Sequence, residues 1–257
     1  MTDETVIVLL AGVLGALFGS FLNVCIHRWP REESVVRPRS RCPGCGELIA
    51  WYDNIPIVSW IVLRARCRRC GTAISVQYPL VELTTALLWA YMAWRFGLSV
   101  KAVAGGVFFT ILLGIAMTDA REYLIPDEFS LGGLVIGLAF ALAGGFSGLG
   151  DALLGAAAGF VLLWAVGAIG TRLFKEEAMG GGDIKMMAMV GAFVGWQGVL
   201  LTVFLGALLG TLVFVPLSVV GRKRLVPFGV FLSLGAAATW LTGPAVIAWY
   251  RTFVLQS

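Results

Sequence analysis

The chain consists largely of long apolar runs that are separated by short polar stretches. A helix needs about 20 apolar residues to cross about 30 Å of hydrocarbon, and most of the runs approach this length. The pattern predicts an all-α polytopic membrane protein with about eight transmembrane helices, and with six as the lower bound. The predicted spans are residues 5–26, 79–96, 100–118, 129–147, 149–171, 184–196, 198–220 and 227–250.

The sixth and seventh predicted spans share one apolar run. Residues 186–220 carry no charged side chain, and this run is too long for one ordinary crossing because a helix rises about 1.5 Å per residue. The segment Gly195-Trp196-Gln197-Gly198 is the predicted break. The pattern leaves open whether both halves cross the bilayer completely.

Composition identifies the bilayer as the main solvent. Hydrophobic residues make up 59% of the chain and charged residues 13%, with a mean hydropathy of +0.89, whereas a soluble domain carries about 25% charged residues. The first residues, Met1-Thr2-Asp3-Glu4, are acidic, while a cleavable signal peptide begins with basic residues. We therefore expect the first apolar run to be a membrane span.

The distribution of lysine and arginine predicts the orientation. With the N-terminus outside and eight crossings, all of the 19 basic residues lie on the inner side except Arg95, Lys101 and Arg251. The positive-inside rule favours this arrangement in a bacterial inner membrane. The same rule accounts for the net charge of +4, so the charge does not predict a nucleic-acid partner.

Residues 27–78 interrupt the apolar pattern and contain two Cys-x-x-Cys-Gly turns, formed by Cys42, Cys45, Cys67 and Cys70. The spacing is close to that of zinc ribbons, and glycine after each pair permits a tight turn. Four thiolates make a closed tetrahedral site, which suits structural Zn²⁺ in a small cytoplasmic domain. A redox dithiol is the minor alternative, and a cytoplasmic location disfavours stable disulfides.

Three other polar or reactive residues near the spans have ordinary interpretations. Cys25 lies in an apolar span and is expected to contribute to packing. His27, the only histidine, is expected to be interfacial. Glu82 enters the second span and is either buried with a partner or interfacial.

Two acidic residues border predicted spans in a pattern that suggests chemistry. Asp119 ends the third span, and Asp183 opens the sixth after Gly180-Gly181-Gly182. The topology predicts that both reach the cytoplasmic membrane edge at a similar depth. Carboxyl groups that share a proton can activate water and polarise a carbonyl without a side-chain nucleophile. The glycines are expected to permit positive φ and the close approach of a substrate backbone.

Each aspartate alone also has a structural interpretation. Asp183 fits a helix N-cap, and Asp119 could pair with Arg121 or face water. If the two aspartates form a catalytic pair, the helix dipole predicts that Asp119, at a C-terminus, holds the shared proton. Asp183, at an N-terminus, would then be ionised, with Lys185 adding to this bias.

These motifs, taken in order, resemble the bacterial type 4 prepilin peptidases, a family of membrane aspartyl proteases with a GxGD signature. The matching segments are Gly19-Ser20-Phe21-Leu22-Asn23-Val24, the double Cys-x-x-Cys insert, Tyr78-Pro79-Leu80-Val81-Glu82, Asp119 with Ile125-Pro126-Asp127, and Gly180-Gly181-Gly182-Asp183-Ile184-Lys185. The resemblance implies that Asp119 and Asp183 are catalytic, with Gly180, Gly182 and Lys185 supporting the motif.

We therefore expect three parts: a first transmembrane helix over 1–26, a four-cysteine zinc-binding domain over 27–78, and a transmembrane peptidase domain over 79–257.

The resemblance also implies substrates and a second activity. The substrates would be type IV prepilins and type II secretion pseudopilins, cut between a basic leader that ends in glycine and an apolar helix. Many members then N-methylate the new N-terminus with S-adenosylmethionine, for which the sequence identifies no binding residues. The family often has glycine shortly before the third cysteine, where this chain has Ala65. The sequence does not predict an oligomeric state.

Two other classes of protein are compatible with parts of the pattern. A transporter or channel would use the aspartates for protons or ions, but such sites usually lie near the membrane midplane. A non-catalytic assembly protein would use the cysteine domain for docking, and this interpretation leaves the aspartates and the triglycine without a role.

Overall fold

The structure is a computed structural model that describes residues 3–145, 148–176, 179–219 and 226–253. Within these ranges it contains eight α-helices and no β-strand, so the predicted all-α class is confirmed. The helices are α1 (Asp3–Arg28), α2 (Val58–Val62), α3 (Gln77–Phe96), α4 (Val100–Glu122), α5 (Asp127–Leu142), α6 (Leu149–Phe174), α7 (Gly181–Val219) and α8 (Phe228–Phe253).

Five of the described helices, α1, α4, α6, α7 and α8, are long and apolar enough to cross a membrane. Their outer surfaces are apolar: Leu10 and Val13 of α1 are 63% and 61% exposed, as expected for side chains that face lipid. The less apolar α3 and the 16-residue α5 occupy the positions of two further predicted spans. The chain is therefore a multi-span membrane protein, and the number of complete crossings stays a prediction.

The long apolar run forms α7, which is interrupted at Gly195. This residue has φ 72° and ψ 174°, a conformation that glycine adopts without steric cost. The break predicted at Gly195 is confirmed, and it divides α7 into segments 181–194 and 196–219. The spans predicted to end at residues 147 and 220 have their last residues outside the described ranges.

The chain divides into two compact units, one up to Thr110 and one from Ile111 onward. In the first unit α1 packs along α3 through small residues. A Cβ on Gly15 would lie 2.7 Å from the carbonyl oxygen of Thr85, and a Cβ on Gly19 would lie 2.7 Å from the Cα of Glu82. The three parts predicted from the sequence were defined by function, whereas these two units are defined by compactness. The three-part division therefore stays a prediction.

In the second unit, α6 and α7 touch along their backbones. A Cβ on Gly155 would collide with the carbonyl oxygen of Gly191, and a Cβ on Gly159 would collide with that of Met187. Helices in lipid associate largely through close packing, because lipid is as apolar as their side chains. This contact holds the first half of α7 in place, and α7 also packs against α5 and α8.

The backbone contact predicts a sharp difference between two glycine substitutions. Gly191→Ala should destabilise the protein by about 1–3 kcal/mol, because the added methyl group overpacks the α6–α7 interface. Gly132→Ala is the matched control, since Gly132 lies in α5 with open space around it. Thermal unfolding in detergent micelles measures both, and equal stability of the two variants would contradict this packing.

Candidate active site and metal centre

Two carboxyl groups lie near each other where the C-terminus of α4 meets the N-termini of α7 and α8. Asp119 lies in the last turn of α4 and is 6% exposed. Asp183 lies in the first turn of α7, and its buried Oδ1 has no hydrogen-bond partner. The two groups are close enough for their charges to interact. The structure thus brings together the two aspartates that the sequence singled out, and their catalytic role stays a prediction.

The first turn of α8 completes the surroundings of Asp119. The backbone N–H of Val230 donates a hydrogen bond of 3.1 Å to Oδ2 of Asp119. The first N–H groups of a helix have no partner within it and carry its partial positive charge. A Cβ on the adjacent Gly229 would lie 2.9 Å from the same oxygen, so glycine permits this close approach.

This contact changes the electrostatic argument made from the sequence. That argument placed Asp119 only at the negative end of α4, whereas the structure adds the positive end of α8 on the other side of the carboxyl group. Helix polarity therefore no longer indicates which aspartate holds a shared proton. The available sequence signal was Pro227 before Phe228-Gly229, since proline favours the start of a helix and glycine a close approach.

The triglycine segment was expected to permit positive φ and the close approach of a substrate backbone. None of Gly180, Gly181 and Gly182 has positive φ, so the first expectation is wrong, while the approach of a substrate stays a prediction. Space is limited at Gly182, where a Cβ would lie 3.0 Å from Cβ of Ile125, whereas a Cβ on Gly181 would meet nothing within 4 Å. Ile125 also approaches Gly229, so this buried side chain packs between the first turns of α7 and α8.

The contacts of Asp183, Asp119 and Lys185 differ from the structural roles that the sequence allowed for them. Asp183 is the third residue of α7 and not the residue before it, so it is not an N-cap. The described contacts join Asp119 to Val230 and show no ion pair with Arg121. Lys185 Nζ contacts the carboxylate oxygens of Asp127 at 2.7 and 2.8 Å. Lys185 therefore links the N-terminal part of α7 to the first turn of α5 through Asp127.

In the first unit, the four predicted cysteines come together. The Sγ atoms of Cys42, Cys45, Cys67 and Cys70 all lie within 4.8 Å of one another. Such a set of thiols can bind one metal ion, and four thiolates suit a tetrahedral ion such as Zn²⁺.

The two Cys-x-x-Cys turns have the backbone geometry that their glycines predict. Gly46 and Gly71 both have φ 71°, in the left-handed region that favours glycine. The N–H of Gly46 donates to the carbonyl of Cys42 at 2.8 Å, and the N–H of Gly71 donates to that of Cys67 at 3.0 Å. The prediction that glycine permits each tight turn is confirmed.

Local hydrogen bonds favour the metal-binding form of two cysteines. The Thr72 hydroxyl, 3.2 Å from the Cys70 sulfur, lowers the pKa of Cys70 to about 6. Backbone hydrogen bonds, chiefly from Cys70, lower the pKa of the Cys67 thiol. Because the thiolate is the form that binds a metal ion, these contacts favour metal binding by Cys67 and Cys70.

The remaining residues noted in the sequence have defined environments. Glu82 is buried, and its Oε2 accepts a 2.7 Å hydrogen bond from the N–H of Ile57, so the buried alternative is correct. Cys25 is buried at 1% exposure, and His27 is exposed at the end of α1. Ala65 has φ 58°, which explains in steric terms why glycine suits this position.

Fold and sites together define a multi-span helical membrane protein that combines a carboxyl pair with a four-cysteine centre. Residues 13–96 match the bacterial peptidase A24 N-terminal domain, and residues 106–215 match the type IV leader peptidase family. The chain belongs to the type IV leader peptidase family.

Similar proteins carry the name prepilin leader peptidase/N-methyltransferase. One from Myxococcus xanthus is 44% identical over 84% of this chain and 63% of its own length. One from Stutzerimonas stutzeri is 39% identical over 96% of this chain and 94% of its own. One from Pseudomonas aeruginosa is 36% identical over 94% and 92%. The chain thus spans less than two thirds of the M. xanthus relative. A comparison with solved structures gave no significant match.

The cysteine cluster predicts a selective loss of metal. Cys67→Ser should lower the bound metal content of the purified protein, because one of four thiolate ligands is lost. Cys25→Ala should retain it, because Cys25 lies on α1 outside the cluster. Elemental analysis of the purified variants measures the content, and full retention by Cys67→Ser would contradict the assignment.

Proposed function

We propose that the protein is an integral membrane aspartic endopeptidase that removes the leaders of type IV prepilins and type II secretion pseudopilins. We propose also that it N-methylates the new N-terminus with S-adenosylmethionine as donor. Family membership and the names of the relatives support both activities. The observation that carries the cleavage mechanism is the convergence of Asp119 and Asp183 at the ends of α4, α7 and α8.

In this mechanism the two aspartates share one proton and act on a water molecule. The ionised carboxylate accepts a proton from water, and the water oxygen bonds to the scissile carbonyl carbon. The protonated carboxyl group donates its proton to the leaving nitrogen as the C–N bond breaks. One water is consumed, and the pair ends with one proton. No side-chain nucleophile is needed.

The surroundings of each aspartate suit this role. The N–H of Val230 holds Oδ2 of Asp119 in a fixed direction. Oδ1 of Asp183 is buried and makes no hydrogen bond to the described residues, so it keeps an unused acceptor for the reaction. Both residues lie in terminal turns of their helices, which favours a peptidase at the membrane edge over a transporter with a midplane site.

The charge pattern supports a cytoplasmic location for the cut. Most lysines and arginines border the ends that the topology assigns to the inside of the bacterial inner membrane. A precursor would keep its apolar helix in the bilayer and its basic leader in the cytoplasm. The scissile bond between them would then reach the membrane edge. The four-cysteine centre, in this proposal, holds Zn²⁺ as a structural ion.

Substitution of either aspartate tests the cleavage mechanism. Asp119→Asn and Asp183→Asn should each lower the cleavage rate of a purified prepilin by about 10²-fold to 10⁴-fold, the usual contribution of a general acid or base. Glu128→Gln is the control, because Glu128 is an exposed carboxylate in the first turn of α5. Full activity in either aspartate variant, with normal folding, would refute the assignment.

The spacing around the triglycine predicts a second contrast. Gly182→Ala should lower the cleavage rate by about tenfold or more, because the methyl group pushes against Ile125 and shifts Asp183, and small misplacements are costly in catalysis. Gly181→Ala should cleave at nearly the native rate, since its surroundings are open. Initial rates in detergent compare the two, and equal losses would show that packing against Ile125 is unimportant.

A further inference from the structure

Helix α2 turns an apolar face outward and a polar residue inward. Val58, Ile61 and Val62 are 53%, 63% and 67% exposed, and their spacing places them on one face of the helix. Ser59 is buried instead, and its hydroxyl donates a 2.9 Å hydrogen bond to the carbonyl of Tyr52. This is the reverse of the pattern of a helix that faces water, so the outer face of α2 indicates an apolar environment.

The start of α2 is attached to α3 at a point inside that helix. The N–H of Ile57, the residue before α2, donates a 2.7 Å hydrogen bond to Oε2 of Glu82. Glu82 lies against α1, since a Cβ on Gly19 would be 2.7 Å from its Cα. Gly19 precedes Arg28, the last residue of α1, by nine residues, which is about 13 Å along a helix. The start of α2 therefore lies beside the apolar part of α1, short of its end.

The outer surface of α1 is apolar in this region. Leu17, Phe18 and Phe21, on either side of Gly19, are exposed, as side chains that face lipid are. Helices α1, α2 and α3 belong to the same compact unit. With five residues, α2 is too short to cross a bilayer. Its exposed face therefore fits lipid at the edge of the bilayer, as in helices that lie in the membrane interface.

Two cations follow the apolar face. Arg64 and Arg66 come shortly after the end of α2 at Val62, and both are exposed. Within the part of the chain that the structure describes, neither of them forms an ion pair. An arginine beside an apolar surface can keep its stem in hydrocarbon while its guanidinium reaches a phosphate group. The charge of this turn therefore complements a surface of anionic lipids.

We propose that α2 is an interfacial membrane anchor: Val58, Ile61 and Val62 lie among lipid acyl chains, and Arg64 and Arg66 contact the phosphate groups of anionic lipids. The anchor holds the cysteine-containing insert against the bilayer beside α1 and α3. This contact is independent of the proposed peptidase and methyltransferase activities, so the failure of either activity leaves the anchor unaffected, and the reverse also holds.

The quenching of a fluorescent amino acid at position 61 tests the depth of α2. The fluorescent residue replaces Ile61 in the full-length protein, in vesicles of phosphatidylcholine and phosphatidylglycerol. Nitroxides on lipid acyl chains should quench it about as strongly as the same residue at Leu10, on the lipid-facing surface of α1, and iodide in water should quench it little. At Glu33, which is exposed beyond the end of α1, iodide should be the stronger quencher.

Each result at position 61 supports or overturns the anchor. Stronger quenching by the lipid nitroxides supports it. Quenching by iodide to the same degree as at Glu33 would place the face in water and overturn it. Quenching by neither agent would show that a second copy of the chain or another protein surface covers the face, and would also overturn it. Thermal unfolding of each labelled protein shows that it is folded.

The two arginines are tested by the choice of lipid. At equal amounts, phosphatidylglycerol with a nitroxide on its acyl chain should quench position 61 about twofold more than phosphatidylcholine with the same group, because the arginines concentrate anionic lipid. This difference should disappear when Arg64→Gln and Arg66→Gln are combined. At Leu10, the matched control, the two lipids should quench alike. Equal quenching by both lipids at position 61 of the chain with native arginines would overturn their role.

A measurement on the wild type does not depend on any substitution. Lipids with a photoreactive diazirine on the acyl chain are activated in vesicles that contain the protein, and the modified peptides are mapped by mass spectrometry. Modification of residues 58–62 together with residues 9–21 of α1 supports the anchor. Modification of residues 9–21 without residues 58–62 would overturn it.

Discussion

The backbone contact between α6 and α7 is the constraint on which the candidate active site depends. Apolar side chains gain little from each other in lipid, so helices there are held by close fit. Gly155 and Gly191 allow the two backbones to touch, and this contact holds the first half of α7. Because Asp183 lies in the first turn of α7, the same contact fixes the position of its carboxyl group relative to α4 and α8.

The residues of the candidate active site are supplied by the ends of helices and not by a loop. The last turn of α4 supplies Asp119, the first turn of α7 supplies Asp183, and the first turn of α8 supplies the N–H that orients Asp119. The ion pair of Lys185 with Asp127 ties the start of α5 to the start of α7. In our proposal this junction cuts the precursor, while the first unit holds a structural metal ion at its four cysteines.

Much of this arrangement could be predicted from residues that act locally. Apolar length predicted the helices, Gly195 predicted the break in α7, and the Cys-x-x-Cys-Gly spacing predicted the four-thiol cluster. Contacts between distant segments could not be predicted in the same way. The hydrogen bond from Val230 to Asp119 joins residues 111 positions apart. The ion pair of Lys185 with Asp127 forms because α5 packs on α7. Positive φ was wrongly expected in the triglycine, because the constraint at Gly182 is the space beside Ile125, which only the packed structure reveals.

The central claim is that the scissile bond lies at the junction of α4, α7 and α8. Site-specific photocrosslinking tests it most directly, with a photoreactive residue placed next to the cleavage site of a prepilin and the inactive Asp183→Asn variant used to retain the substrate. The account predicts crosslinks to segments 119–127, 179–185 and 226–230. Crosslinks confined to the insert at residues 27–78 would contradict it.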